Sequence, residues 1–335
     1  MSLSISIDLS ERDLEHFHAA RRAAQEAAKG KSADEVIGAA LKLLEASRIV
    51  QVPDFIAERL AQLDDLIAML RDDGWALPDM GEVWQFRYML AQLVNVELRA
   101  RYKQTIMGVL WAVINPIIMM VVFTIVFNRL ANVPSYDIPY PIFAFAGLVP
   151  WTLFSKGLSA SSVSIVTSGA IISKVYFPRV LIPLSKVFTG FVDFLLAFGV
   201  LFIMMLAYGY LPGLRALGVV FFALLAMLAA FGVGLWLSAL HVRFRDIGHL
   251  VPFLVQTLLY LSPVAYPSSL INEPWRTLAG INPVVSVCDG FRWALLGLDT
   301  LHPATVLVST VVTLLLVISG LFVFQRLEDS FPDLI

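Results

Sequence analysis

The feature that most constrains this chain is a succession of apolar runs beginning at residue 106. Most are close to the about 20 residues that a helix needs to cross about 30 Å of hydrocarbon. They cover residues 106–127, 142–162, 181–208, 216–240, 250–266 and 304–324. Lipid offers no partner for a backbone N–H or C=O, so each run is expected to be helical. Pro150 and Lys156 interrupt the second run and Pro263 interrupts the fifth. Between the fifth and sixth, residues 275–281 and 284–298 are partly apolar and too short to span. They are expected to form a re-entrant or interfacial pair, which is tolerated where backbone is buried in protein or lines water. The expected fold class is an all-α polytopic membrane protein with six transmembrane helices and a re-entrant region before the last span.

Charge divides the chain. Charged residues make up 15% of it, against about 25% in ordinary soluble domains. Residues 1–80 hold 9 Lys+Arg and 15 Asp+Glu, whereas residues 81–335 hold 15 and 11. An acidic soluble helical extension, residues 1–80, thus precedes a basic membrane part, and no nucleic-acid footprint is present. Three short helices are expected in the extension. Ser32 and Glu35 form a capping box for the second, and Pro53 opens the third. The first 30 residues lack the apolar core of a signal peptide, so the amino terminus is expected in the cytoplasm. Gly30-Lys31-Ser32 has the tail of a P-loop, but position 25 is Gln rather than Gly and no strand precedes it. It reads as a junction between helices. The lone Cys288 leaves no disulfide framework or thiolate zinc site.

Residues 81–104 form a third type of segment. Trp84, Tyr88, Leu90, Val94 and Leu98 interleave with Arg87, Glu97, Arg99, Arg101 and Lys103. An aromatic-headed amphipathic stretch just before the first apolar run is expected to lie in the membrane interface. The transmembrane permease part then covers residues 105–335. With the amino terminus inside, one side of the membrane holds Arg99, Arg101, Lys103, Lys174, Arg179, Arg243, Arg245 and Arg326. The other holds Arg129, Arg215, Arg276 and Arg292. This bias puts both termini in the cytoplasm. Lys156, Lys186 and Asp193 lie in or near spans, where charge is costly and needs a cavity or a partner. Asp193 falls almost two helical turns after Lys186, which would allow them to pair.

Three features fall together on the expected cytoplasmic face. They are the run ELRARYKQTIMGVLWAVINP from Glu97, the loop KVYFPRVLIPLSKV from Lys174, and RFRDI from Arg243. In this order, and with the late stretch INPVVSVCDGFRWALLG, they resemble the membrane subunit of type-2 ABC exporters for polysaccharides: O-antigen, capsular polysaccharide or teichoic acid. The resemblance covers about residues 82–335. The acidic extension is not part of it.

The resemblance implies a permease without its own nucleotide site, working as a homodimer with two copies of a separate ATPase that binds ATP and Mg. The cargo would be an undecaprenyl-type lipid-linked glycan, and the location the bacterial inner membrane. Six helices alone poorly enclose a wide polymer path, which also favours a pair. Pro178 and the Pro183 beyond it would stiffen the loop on which an ATPase pushes. Lys174, Tyr176, Phe177, Pro178 and Arg179, with Arg243, Arg245 and Asp246, are the candidate coupling residues. The alternative is that these bases only satisfy the positive-inside rule. A lipid-linked glycan carries a pyrophosphate at the membrane surface, and the Arg fork matches phosphate oxygens. Arg99, Arg101 and Lys103 are the candidate pyrophosphate gate, with Arg87 a lesser member. Anionic bilayer lipid is the competing ligand.

Two other readings fit parts of the sequence. A type-2 permease for a drug or lipid stays within the same transport class, and the aromatic interfacial helix and the FPR loop favour a glycan. A membrane enzyme acting on polyprenyl phosphate needs clustered acid–base groups at one face. Beyond the extension the only histidines are His241, His249 and His302, with no paired carboxylates at metal-ligand spacing.

Overall fold

The computed structural model describes residues 78, 80–103, 110–172, 174–328 and 330–331. The acidic extension, with its three expected helices and the Gly30-Lys31-Ser32 junction, lies outside the described residues, as does the start of the first apolar run. Every regular element among the described residues is helical, without a strand. Two helices, α1 (Met80–Gln85) and α2 (Arg87–Lys103), run nearly continuously, since Leu90 N–H donates to Phe86 C=O across the junction. Then come α3 (Leu110–Phe123), extended by a π-helical turn Thr124–Leu130, α4 (Tyr140–Ser162) and α5 (Leu181–Ala207). The chain continues through α6 (Gly218–Arg243), α7 (Ile247–Leu261), α8 (Pro283–Leu296) and α9 (Pro303–Glu328).

Among the described residues five helices are long and apolar enough to cross a membrane: α3 with its π turn, α4, α5, α6 with its lead-in from Leu214, and α9. Pro150, expected to interrupt the second span, sits inside an unbroken α4. Membrane helices accept proline where neighbours and local adjustments satisfy the freed carbonyl. The fifth expected span differs more. α7 has 15 residues, about 22 Å at 1.5 Å per residue. It stops because Pro263 drives Ser262 to extended backbone, ψ 146°. The Ser262 hydroxyl then donates to Leu258 C=O, and Asn282 Nδ2 donates to the same hydroxyl oxygen.

α4 is the centre of the bundle. Of its best apolar window 78% is buried inside the chain, against 22% for α9. Both α5 and α6 pack along it, and α9 packs on the outer side of α6. Small residues set these distances. A Cβ on Gly320 of α9 would fall 2.8 Å from the Gly232 carbonyl oxygen of α6. The two backbones therefore touch there, as in small-residue crossings in membranes.

α8 sits among α4, α6 and α9 with nearly every residue buried. Its start is marked by Asn282, whose side chain accepts from Val284 N–H, and by Pro283 in the first turn. Its end is Gly297 at φ 69°. The other expected short piece reduces to one turn, Trp275–Leu278, and a 3₁₀ turn, Ala279–Ile281.

Gly320→Ala should lower the thermal unfolding midpoint in detergent, a loss of about 1–3 kcal/mol from forced separation of packed backbones. Gly199→Ala on α5, whose added Cβ meets nothing within 4 Å, should leave the midpoint unchanged or raise it. Equal effects would contradict close α6–α9 packing.

Candidate functional site

α2 is held on α5 by a half-buried stripe, Leu90, Leu93, Val94, Glu97, Leu98 and Arg101, at helical spacing. Trp84, Tyr88, Asn95 and Arg99 face away. The sequence places Arg99 and Arg101 in one basic cluster, but the helix separates them, because residues two apart do not share a face. Arg99 Nε donates to Asn95 Oδ1 at the exposed surface. Arg101 turns inward. The side chain of Lys103 lies outside the described residues. Arg87 lies about 21 Å along the axis from Arg101 and stacks on Trp84 and Tyr88, 5.5 and 4.6 Å from their ring centres.

The inward face meets a carboxylate that the sequence does not mark as a centre. Asp193, on α5, is 4% exposed. Its Oδ2 accepts from Arg101 Nη1 of α2 and Lys156 Nζ of α4, each at 3.0 Å. Its Oδ1 accepts from the Tyr102 hydroxyl. Burial and this carboxylate push the Tyr102 phenol well above its ordinary pKa, so it remains a proton donor. Glu97 extends the chain of charges, 3.6 Å from Arg101 Nη2 and 2.6 Å from Lys186 Nζ. The expected Lys186–Asp193 pair is thus replaced: Lys186 takes Glu97, and Asp193 takes Lys156. A carboxylate from another helix reaches Lys186 more directly than one along its own. Five charged side chains from α2, α4 and α5 are joined a few turns inside the bundle.

Beside them lies a cavity of about 430 Å³ between α2, the end of α4 and the start of α5. Leu93, Ile171 and Ile182 give it apolar walls, and Glu97 and Lys186 line its edge.

The second group surrounds the 174–180 loop. Phe177 is its buried anchor, at 3% exposure, and Tyr176 projects at 80%. Lys174 and Val175 are also exposed. Arg179 does not project. Its Nη1 donates to the Glu328 main-chain oxygen at the end of α9, and its N–H donates to Glu328 Oε1 at 3.2 Å. The Tyr176 hydroxyl donates to Glu82 Oε1 of α1 at 3.2 Å, which raises the phenol pKa. The loop is thereby tied to α1 and α9 around a cleft of about 160 Å³ lined by Pro178. Arg245 and Asp246 are exposed in the turn after α6 and Arg243 is half-buried. That turn adjoins the end of α4, where His241 Nδ1 lies 3.2 Å from Ser162 O.

At the opposite end Arg292 corrects the reading of it as a loop base. It is fully buried on α8. Its Nε donates to Phe143 O, Nη1 to Pro263 O and Tyr266 O, and Nη2 to Val264 O. Its guanidinium lies 3.7 Å from the Phe143 ring centre. Gly147 makes the room, since a Cβ there would stand 2.7 Å from Arg292 Nη2. Lys156, Asp193 and Arg292 share one sequence signal, a charge within an apolar run. Glu82 and Glu328 carry no such mark. No group of three or more metal-binding side chains occurs among the described residues.

The sequence profile described as "ABC-2 type transporter" matches residues 88–296. The O-antigen export system permease protein RfbA of Myxococcus xanthus is 31% identical over 253 residues, 74% of this chain and 96% of that protein. RfbA of Klebsiella pneumoniae is 29% identical over 249 residues, 74% of this chain and 95% of that protein. The polysialic acid transport protein KpsM of Escherichia coli is 22% identical over 239 residues, 70% of this chain and 91% of that protein.

Arg179→Ala should destabilise the purified chain by about 1–3 kcal/mol, the range for hydrogen bonds to charged groups. Lys174→Ala should leave it within about 0.5 kcal/mol, as for an ordinary surface change. Thermal unfolding in detergent makes the comparison, and equal losses would contradict the loop bracing.

Proposed function

The chain belongs to the ABC-2 type transporter family and is a transmembrane subunit of a polysaccharide exporter; from that premise we propose that it moves an O-antigen-like glycan on an undecaprenyl-type lipid from the cytoplasm across the bacterial inner membrane. The observation that carries this reading is similarity along nearly the whole length of proteins named as O-antigen export permeases.

The transporter is a homodimer with two copies of a separate ATPase, which binds ATP and Mg. Both termini and the 174–180 loop face the cytoplasm. α7 serves as a sixth, short span, and residues 275–281 and 284–298, the latter largely α8, form the re-entrant pair before the last one. α1 and α2 lie in the membrane interface, and residues 1–80 form a separate soluble extension.

On the ATPase side, Lys174 and Tyr176 make contact, while Phe177, Pro178 and Arg179 hold the loop stiff enough to be pushed. Arg243, Arg245 and Asp246 provide the neighbouring surface. The brace to Glu328 supports this division of labour, because Arg179 fixes the loop to α9, while Tyr176 bonds Glu82 through its hydroxyl and leaves its ring exposed. On the glycan side, Arg101 meets the pyrophosphate from the inward face of α2, Arg99 and Lys103 make up the rest of the basic entrance, and Arg87 lies further along the helix. ATP binding then opens a path for the polymer and hydrolysis resets it, a conformational step of the kind that gates many enzymes.

Expressed with the ATPase encoded beside it, the chain should purify as a 2:2 complex whose ATP hydrolysis responds to lipid-linked glycan. Lys174→Glu combined with Tyr176→Ala should weaken that complex about tenfold or more, as expected for loss of interface anchors. A chain that purifies alone, with no nucleotide-dependent partner, would contradict the assembly.

A further inference from the structure

The Asp193 network has the composition of an anion site that is already filled. Two cations from different helices, Arg101 and Lys156, converge on one carboxylate oxygen, and a hydroxyl, from Tyr102, converges on the other. These are the donor types that hold phosphate oxygens. Asp193 is almost wholly buried, yet Arg101 and Lys156 are each about a third exposed. Donors that can be reached from outside are thus occupied by an anion that cannot.

Charge supports the same assignment. Glu97 and Lys186 balance each other, which leaves two cations against the single charge of Asp193. A pyrophosphate diester bears a charge on each phosphate and would match Arg101 and Lys156 one for one if Asp193 were displaced. The adjoining cavity of about 430 Å³, apolar on its walls and polar at the Glu97–Lys186 edge, is placed to take the first isoprene units of a prenyl chain.

We propose that Arg101, Tyr102 and Lys156 form the headgroup site for a prenyl-linked phosphate, and that Asp193 fills it as an internal stand-in until the lipid arrives. The proposal rests on the reading of the chain as a carrier of lipid-linked glycan. It adds Lys156 and Tyr102 to the gate, and it gives Asp193 the role of competitor. Two anions cannot share the same donors in a low-dielectric pocket without strong repulsion. Entry of the lipid phosphate therefore separates α2 from α5, and the gate senses its cargo through that movement.

The test uses the full chain in phosphatidylcholine nanodiscs with farnesyl pyrophosphate as the probe. Asp193→Asn should bind the probe about tenfold or more tighter than the wild type, because removing an internal competitor raises the competent fraction. Lys156→Gln should weaken binding by a similar factor. A second measurement needs no change in the network. Spin labels at Gln92→Cys on α2 and Ile203→Cys on α5 should move apart when the probe is added to the otherwise unaltered chain.

Unchanged or weaker binding by Asp193→Asn, or an unchanged label distance, overturns the proposal. If Arg101→Gln alone weakens binding while Lys156→Gln and Asp193→Asn do not, the pyrophosphate gate on α2 stands and the stand-in falls. Absence of binding by every form removes both. Inorganic pyrophosphate competing as well as the probe would make the site one for free phosphate, and phosphatidylglycerol doing so would make it one for bilayer lipid. Either result overturns the assignment to a prenyl-linked phosphate.

Discussion

A single carboxylate inside a hydrophobic helix organises the packing of α2, α4 and α5. Asp193 would be costly in lipid as an isolated charge. It is tolerated because α4 supplies Lys156 and α2 supplies Arg101 and Tyr102. This requirement fixes the position of α2, which is otherwise held by a half-buried apolar stripe and the Glu97–Lys186 pair. Replacing such a network with well-packed apolar residues need not reduce stability, whereas removing one partner leaves a buried charge uncompensated. Its value therefore lies in specifying one arrangement of three helices.

Arg292 answers the same physical problem at the other end by different means. A buried guanidinium cannot lose its proton readily, so its donors must be satisfied in place. Backbone carbonyls at Phe143, Pro263, Val264 and Tyr266 do this. These carbonyls belong to α4 and to the segment that follows α7, where Pro263 has ended the helix and left oxygens without intrahelical donors. The short α7, the broken segment after it and the buried α8 thus form one arrangement, with the arginine meeting the hydrogen-bonding needs of irregular backbone inside a membrane protein.

Much of this was legible in the sequence, and the failures are instructive. The apolar runs locate α3 to α6 and α9 because length and hydropathy alone govern a spanning helix. The change of pattern near residue 83 locates α2. The short apolar piece at 284–298 locates α8. The identities of the ion pairs were not legible, since Lys186 lies seven residues from Asp193 on one helix, while its actual partner, Glu97, comes from a distant segment. Arg292 looks like a loop base in sequence because sequence order does not reveal that α8 is enclosed. Arg99 and Arg101 look like one site in sequence, although the 3.6-residue period already separates them. The Arg179–Glu328 brace joins a loop to the far end of the chain, a contact that no local pattern encodes.

For an exporter these details arrange a division of tasks. The 174–180 loop is stiff where it is braced by Glu82 and Glu328 and exposed at Lys174 and Tyr176. α2 packs on α5, held there by the Arg101–Asp193 and Glu97–Lys186 pairs. Asp193 is the residue on which the position of α2 depends. A double-mutant cycle in unfolding free energy between Arg101→Gln and Asp193→Asn, in detergent, tests that dependence most directly. The account predicts a coupling of about 1–3 kcal/mol, in the range found for residues of one network. Additive effects, with coupling near zero, would show that α2 is held without the Arg101–Asp193 pair, the contrary result.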